Sequence, residues 1–183
     1  MVGTPPLPGR VKPTYRTAKR WQYGPWADWR FPKRKLQVAE DAPGLLLCPR
    51  CHAISQIKRW FLDEALYQQY RTDPRALFVV CPGCEKIERG IYEGRILLLS
   101  PWHKTPKEHV LGLVRNEERR VWESNPLARI ASIEDRGTEV EIITTNQFLA
   151  KRIGLEVRKA YHGRLRIDDL AYERFVRVWW YGE

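Results

Sequence analysis

Four cysteines constrain this chain more than any other feature. They stand in two pairs, in "LLLCPRCH" and "VVCPGCEK", as Cys48, Cys51, Cys81 and Cys84, and the 183 residues hold no others. A CxxC pair on a tight turn aims two sulfurs at one point, and two such pairs supply the four thiolates of a tetrahedral metal site. Pro49, Pro82 and Gly83 suit such turns. A strand-like lead-in, "GLLL" or "ALFVV", precedes each pair, which predicts a rubredoxin-like zinc ribbon over residues 45–100. With four Cys ligands the site is closed and offers no open position for chemistry. One structural Zn2+ then staples a module too small for a strong core of its own.

Other readings of the cysteines compete. Two disulfides need an oxidising compartment, and nothing in the sequence points to export. A redox CxxC does not normally come in two copies in this layout. Iron is the serious rival, because the 29 residues between Cys51 and Cys81 resemble the rubredoxin spacing. Rubredoxins follow each pair with Gly, so that backbone N–H groups reach the sulfurs, and they are typically acidic. Here His52 and Glu85 follow, and zinc is the expected metal. His52, His103, His109 and His162 are scattered, and none pairs with another at metal spacing.

Charge matters here through its location. The formal net charge is +10. Residues 1–35 hold nine Lys or Arg against Asp28, whereas the remaining residues hold 23 basic against 21 acidic groups. A concentrated basic arm reads as a tail for a polyanion. The arm, residues 1–40, interleaves its cations with rings in "KPTYRTAKRWQYGPWADWRFPKRK", and Pro13, Pro25 and Pro32 hold it extended. Cations neutralise phosphates, and rings stack on unpaired bases. The candidate RNA-binding residues of the arm are Lys12, Arg16, Lys19, Arg20, Trp21, Tyr23, Trp26, Trp29, Arg30, Lys33, Arg34 and Lys35. The competing expectation is that some of these rings cover the protein's own body.

No apolar run approaches a membrane span, and "MVGTPPLPGR" lacks the apolar stretch of a secretory signal. A mitochondrial transit peptide would also be Arg-rich and acid-poor, but the arm has no Ser and its prolines interrupt an amphipathic helix. A cytoplasmic protein is expected.

Beyond the cysteines, a helix is predicted over 105–124. Thr105 is its N-cap, Pro106 its first residue, Glu108 completes a capping box, and Pro126 stops it. Val110, Leu111, Val114, Val121 and Trp122 form its apolar stripe. "RNEERR" reads as its solvated face, with Arg115–Glu118 and Arg119–Glu123 pairs. Residues 127–181 read as a compact ββαββ domain. The strands are "LARIASIE", "EVEIITT", "RLRID" and "RFVRVWW". The helix between them has a Thr144–Gln147 capping box, a buried stripe of Leu149, Ile153, Val157 and Tyr161, and Gly163 at its end. The fold class is α+β: a ribbon, a connecting helix and a ββαββ unit behind an extended arm.

This unit carries further candidate RNA contacts. Lys151 and Arg158 are seven apart on the helix, as are Arg152 and Lys159, so all four cluster on its outer side. Alternation puts Arg164 and Arg166 on one face of their strand, and Phe175, Arg177 and Trp179 on one face of the last. Sheets that combine Arg with exposed rings hold single-stranded RNA. The alternative is that this face packs on the zinc module.

The phrases "LVRNEERR", "NPLARIASIED", "TTNQFLAKRIG", "AYHGRL" and "FVRVWW", following two CPxC pairs, resemble a bacterial family of two-CxxC zinc-ribbon proteins over about residues 45–180. More distantly, CxxC pairs followed by a ββαββ unit are similar to the N-terminal half of the Nmd-type adapter. That adapter binds the large ribosomal subunit and helps its late maturation and export. It carries more cysteines and further domains, so the resemblance implies ribosome binding and not export.

No nucleophile–base constellation and no Gly-rich phosphate loop is present. Glu117 and Glu118 sit in a basic helix face, and Asp168 and Asp169 in a predicted turn. The expectation is a non-enzymatic zinc protein that binds structured RNA, most plainly ribosomal RNA or a ribosomal subunit, in assembly, quality control or dormancy. It has no small-molecule substrate and no membrane partner. A protein–protein adapter and a rubredoxin-like electron carrier are the alternatives.

Overall fold

The computed structural model describes residues 45–56 and 59–183, so the arm and its candidate residues from Lys12 to Lys35 lie outside the described residues. The described chain is α+β, with two mixed sheets and four α-helices.

The first sheet is small. Its strands are β1 (Leu45–Leu47), β2 (Ala53–Gln56), β3 (Arg59–Leu62) and β4 (Ala76–Phe78), in the order β3-β2-β1-β4. β2 runs antiparallel to both β1 and β3, while β4 runs parallel to β1. The parallel pair needs a crossover, and helix α1 (Glu64–Tyr70) lies within it. Asp63 caps α1 by accepting from the Leu66 N–H at 2.9 Å. Alternation along β1 then splits two minor cores. Leu47 packs with Ile54 and Tyr67, and Leu46 packs with Ala53, Trp60 and the cysteines.

The second sheet consists of β5 (Gly94–Leu99), β6 (Ile130–Asp135), β7 (Glu139–Thr144), β8 (Arg164–Leu170) and β9 (Phe175–Tyr181), in the order β6-β7-β5-β9-β8. This corrects two expectations. Residues 94–99 were placed in the ribbon and instead form the central strand here, antiparallel to β7 and parallel to β9. The four strands of the expected ββαββ unit therefore do not close on one another, since β5 separates the β6–β7 hairpin from the β8–β9 pair. "GRILLL" suits the centre because it is apolar on both faces. Ile96 and Leu98 are fully buried, and Leu97 and Leu99 are half-buried on the opposite face.

Helices α3 (Lys107–Ser124) and α4 (Gln147–Tyr161) supply the layer that packs against Ile96, Leu98, Val140, Ile142, Val176, Val178 and Trp180. Their contributions are Val110, Val114 and Val121 from α3, and Leu149, Ile153 and Val157 from α4. Gly154 brings α4 close to the sheet, as a Cβ there would lie 2.5 Å from Val178 Cγ1.

The caps differ from those predicted. Pro106 is the N-cap of α3, and since proline has no side-chain acceptor no side chain caps it; the Thr105 N–H bonds back to Pro101 O in the preceding turn. Asn146, not Thr144, caps α4, accepting from the Phe148 and Leu149 N–H groups. Thr144 is the last residue of β7, and its hydroxyl donates to Asn146 O. At the other end His162 and Gly163 both take positive φ, 59° and 75°, to turn the chain into β8.

The solvated reading of "RNEERR" is also corrected. Glu117 is 3 % exposed, because it continues the 110–114–121 stripe into the contact with α4. Arg120 and Arg152 hold its two carboxylate oxygens, each at 2.8 Å. Glu118 accepts from the Ile130 N–H at 2.7 Å and so fixes the start of β6. Asp168 and Asp169, expected in a turn, lie within β8. Among the described residues no helix is long and apolar enough to cross a membrane.

Candidate metal centre

β1 and β4 are parallel neighbours, with Leu47 paired to Phe78, so the two CxxC pairs leave the same end of the sheet side by side. The Val79 N–H continues the pairing to Leu47 O at 2.9 Å and carries the chain toward Cys81. The two pairs are not built alike. Cys48 and Cys51 lie on the turn between β1 and β2, closed by the Cys48 N–H to Ala53 O at 2.8 Å. Cys81 is instead the N-cap of helix α2 (Pro82–Glu88), with Pro82 and Gly83 in its first turn. The second pair thus opens a helix and not a second hairpin turn, a point at which the structure departs from the expected ribbon.

The four sulfurs lie within 4.8 Å of one another, with Cys51 Sγ and Cys81 Sγ 3.5 Å apart. A tetrahedron of thiolates around zinc, with bonds of about 2.3 Å, has edges of about 3.8 Å, so this donor set can hold one metal ion. Cys48, Cys81 and Cys84 are buried, Cys51 is partly so, and all four are free thiols. The Cys81 N–H points at Cys48 Sγ (3.3 Å) and the Cys84 N–H at Cys81 Sγ (3.4 Å), which favours thiolates at both.

The thiols are strongly interdependent. Hydrogen bonds from Cys51, then Cys81 and Cys84, hold Cys48 far below the usual thiol range. Cys48 pushes Cys51 up, but the bonds from Cys81 and Cys84 outweigh it and leave Cys51 at about 7. Cys81 and Cys84 are both pushed well up, first by Cys48 and then by Cys51. Four thiolates together need a cation between them.

His52 qualifies the comparison with rubredoxin. It has φ 60°, the left-handed backbone that Gly adopts most readily. The turn after Cys51 is therefore made without Gly. Its ring stacks on Tyr67 at 4.2 Å, and Nδ1 meets the Glu64 carboxylate at 3.0 Å. Glu85, after the second pair, lies within α2, its N–H bonded to Cys81 O.

The site is tied to the second sheet at two points. Lys86 Nζ reaches Glu93 Oε1 at 2.6 Å and Thr145 O at 3.1 Å. Gly83 lies against the backbone of Leu127, where a Cβ would come within 2.9 Å of Leu127 Cα. Gly83→Ala is therefore expected to force α2 away from residue 127. The expected cost is about 1–3 kcal/mol in denaturant unfolding, with metal content unchanged. A variant as stable as wild type would show that this contact yields freely.

The candidate RNA-binding cations of α4 are mostly engaged, and with carboxylates on different elements. Lys151 Nζ bonds Asp169 at 2.5 Å, Arg152 bonds Glu117, and Lys159 lies 3.7 Å from Glu156. Arg158 is exposed, with no ion pair among the described residues. On β8 and β9 the Arg166 guanidinium sits over the Trp179 ring at 5.2 Å and chelates Asp168 at 2.9 and 3.0 Å. The metal module meets the second layer through β3 against α3 and through Leu127. The sequence reading missed the pairing of Glu141, 2 % exposed in the middle of the second sheet, with Arg95 and Arg136. Its alternation marks Glu141 as facing away from the core, and only the neighbouring strand and hairpin bring the arginines that bury it.

Searches against protein-family models, curated proteins and solved structures return no match to this chain.

Proposed function

We propose that this chain is a non-enzymatic, zinc-stapled protein that binds structured RNA, with a ribosomal subunit as its cytoplasmic partner. The observation that carries the RNA reading is the placement of charge: nine cations against one acid in residues 1–35, beside a body close to neutral. The outer face of β8 and β9, where Arg164 and Arg166 lie opposite Tyr181 and Trp179, offers a second surface of the same chemistry. Lys151, Arg152 and Lys159 would contribute only by exchanging carboxylate partners for phosphates, which makes Arg158 the readiest contact on α4.

Zinc is the proposed ion because a closed four-thiolate set suits it and the chain is basic. In this role Cys48, Cys51, Cys81 and Cys84 are ligands only, and the ion contributes folding energy. Colour separates the electron-carrier alternative, since an iron–thiolate site absorbs visible light and zinc does not. The adapter alternative has one observation in its favour: Leu77 and Phe78, at the edge of the first sheet, are 49 % and 55 % exposed.

Sedimentation of lysate through a sucrose gradient tests the proposal, comparing the full chain with one lacking residues 1–35 at low and high salt. The full chain is expected to travel with a ribosomal subunit and to leave it on truncation or in salt. Its affinity should fall with a log–log slope of about −0.7 to −0.9 per phosphate contact. Both versions remaining at the top of every gradient would overturn the ribosomal reading, and a salt-insensitive complex would favour the adapter.

A further inference from the structure

The outer edge of β8 offers backbone groups for pairing. β8 is an edge strand of the second sheet, and among the described residues no strand lies on its far side. It is seven residues long, contains no Pro, and keeps an unbroken register with β9 from Arg164↔Tyr181 to Leu170↔Phe175. Strand edges of this length are normally blunted, because their free backbone groups recruit other strands.

The hydrogen-bond pattern fixes which groups face outward. The Val176 N–H bonds Glu93 O and the Gly182 N–H bonds Leu99 O, so even-numbered residues of β9 turn their backbone groups toward β5. Odd-numbered residues of β9 then face β8. Their partners Arg164, Arg166, Asp168 and Leu170 turn inward to meet them. Leu165, Ile167 and Asp169 are left presenting N–H and C=O groups outward.

We infer that β8 pairs antiparallel with β8 of a second copy, about a two-fold axis through Ile167, joining the two sheets into one. A closed two-copy interface requires antiparallel pairing, and outward-facing residues must meet outward-facing residues. Any residue of β8 satisfies this, but only an axis at Arg166, Ile167 or Asp168 keeps most of the seven-residue strand paired. At Arg166 two guanidinium groups would face each other across the strands, and at Asp168 two carboxylates would. At Ile167 each Arg166, already bonded to Asp168 of its own strand, also faces Asp168 of the other copy, so the two pairs merge into one four-charge network. Leu165 then meets Asp169 of the other copy through their backbones, and Ile167 meets Ile167.

The helix side fits the same register. Lys151 reaches down to Asp169, and Gly154 lies over Leu165, where a Cβ would be 3.2 Å from Leu165 Cδ1. Arg158 is exposed one helical turn beyond Gly154, and the register brings Asp169 of the other copy to the Leu165 position that Gly154 covers. The inference stands on strand geometry and charge order, and does not require the RNA reading.

The test is sedimentation equilibrium of the full, metal-loaded chain freed of nucleic acid. Wild type is expected to form a dimer. R166D puts like charges face to face across the axis, as does D168R, and each is expected to weaken self-association at least tenfold. An equimolar mixture of the two is expected to form a heterodimer, because each Asp then meets an Arg. Amide hydrogen exchange on wild type removes dependence on the variants' folding. The Leu165, Ile167 and Asp169 N–H groups should gain protection as concentration rises, while those of Arg166 and Asp168 are protected throughout. A chain that stays monomeric at every concentration would overturn the inference. So would single variants that dimerise like wild type, or outward amides whose protection does not depend on concentration.

Discussion

Cys81→Ser is expected to abolish stoichiometric metal binding and to unfold the first sheet while the second survives. Cys81 is the residue on which the site is most concentrated. It caps α2, accepts the Cys84 N–H on its sulfur, and sends its own N–H to Cys48 Sγ. The strands around it are three or four residues long, and their cores are two small clusters, one of which consists largely of the cysteines themselves. Structural zinc in zinc-finger peptides contributes about 10–16 kcal/mol at neutral pH, comparable with the whole stability of a domain. Metal analysis should fall from about one ion per chain to background. Hydrogen exchange should lose protection over residues 45–88 and keep it over β5, β7 and β9. Full protection of β1 and β2 in the metal-free variant would show that the module does not depend on its ion.

The second large effect is expected from Trp180→Ala, at about 3–5 kcal/mol. Among the described residues Trp180 is the largest fully buried side chain, enclosed by the α3–α4 layer and beside the Trp102 and Tyr161 rings, each with centroids 6.4 Å away. Its indole N–H donates to His162 O at 2.7 Å, at the left-handed turn that ends α4. The cavity and the unsatisfied carbonyl act together, so the turn into β8 should loosen along with the core. Trp180→Phe separates the two contributions, because it keeps most of the ring volume and loses the hydrogen bond. It should cost about 1–3 kcal/mol, with exchange at residues 162–165 rising more than in the helices. Equal stability of Trp180→Phe and wild type would show that His162 O finds another donor.

The two variants also probe different couplings. Among the described residues, loss of the ion should reach the second sheet through Lys86, Leu127 and the β3–α3 contact, besides the chain itself between α2 and β5. Loss of Trp180 should reach the cysteines by the same route in reverse. The Gly83→Ala variant tests that route at its Leu127 contact while leaving all four cysteines in place.

The sequence by itself determined the features that depend on near neighbours. Each CxxC spacing is enough to specify two converging sulfurs, since ligand chemistry and a tight turn are local properties, while the parallel pairing of β1 and β4 brings the two pairs together. The alternation in "FVRVWW" put Phe175, Arg177 and Trp179 on one face because strand period follows from backbone geometry alone, and the opposite face, Val176, Val178 and Trp180, is the buried one. The stripe of α4 was legible for the same reason, with Leu149, Ile153 and Val157 all buried. What tertiary structure decided was every feature set by a partner distant in the chain. "GRILLL" is equally apolar in either sheet, and only the choice of β7 and β9 as neighbours placed it at the centre of the second. Glu117 reads as solvent-facing until α4 brings Arg152 to it from 35 residues away. Asn146 displaced Thr144 as a cap because β7 claimed Thr144 for its own last pairing with β5. The second cysteine pair became a helix start because Cys81 could cap α2 with its own sulfur. Long-range pairing leaves no period in the sequence, and burial of a charge depends on who arrives to meet it.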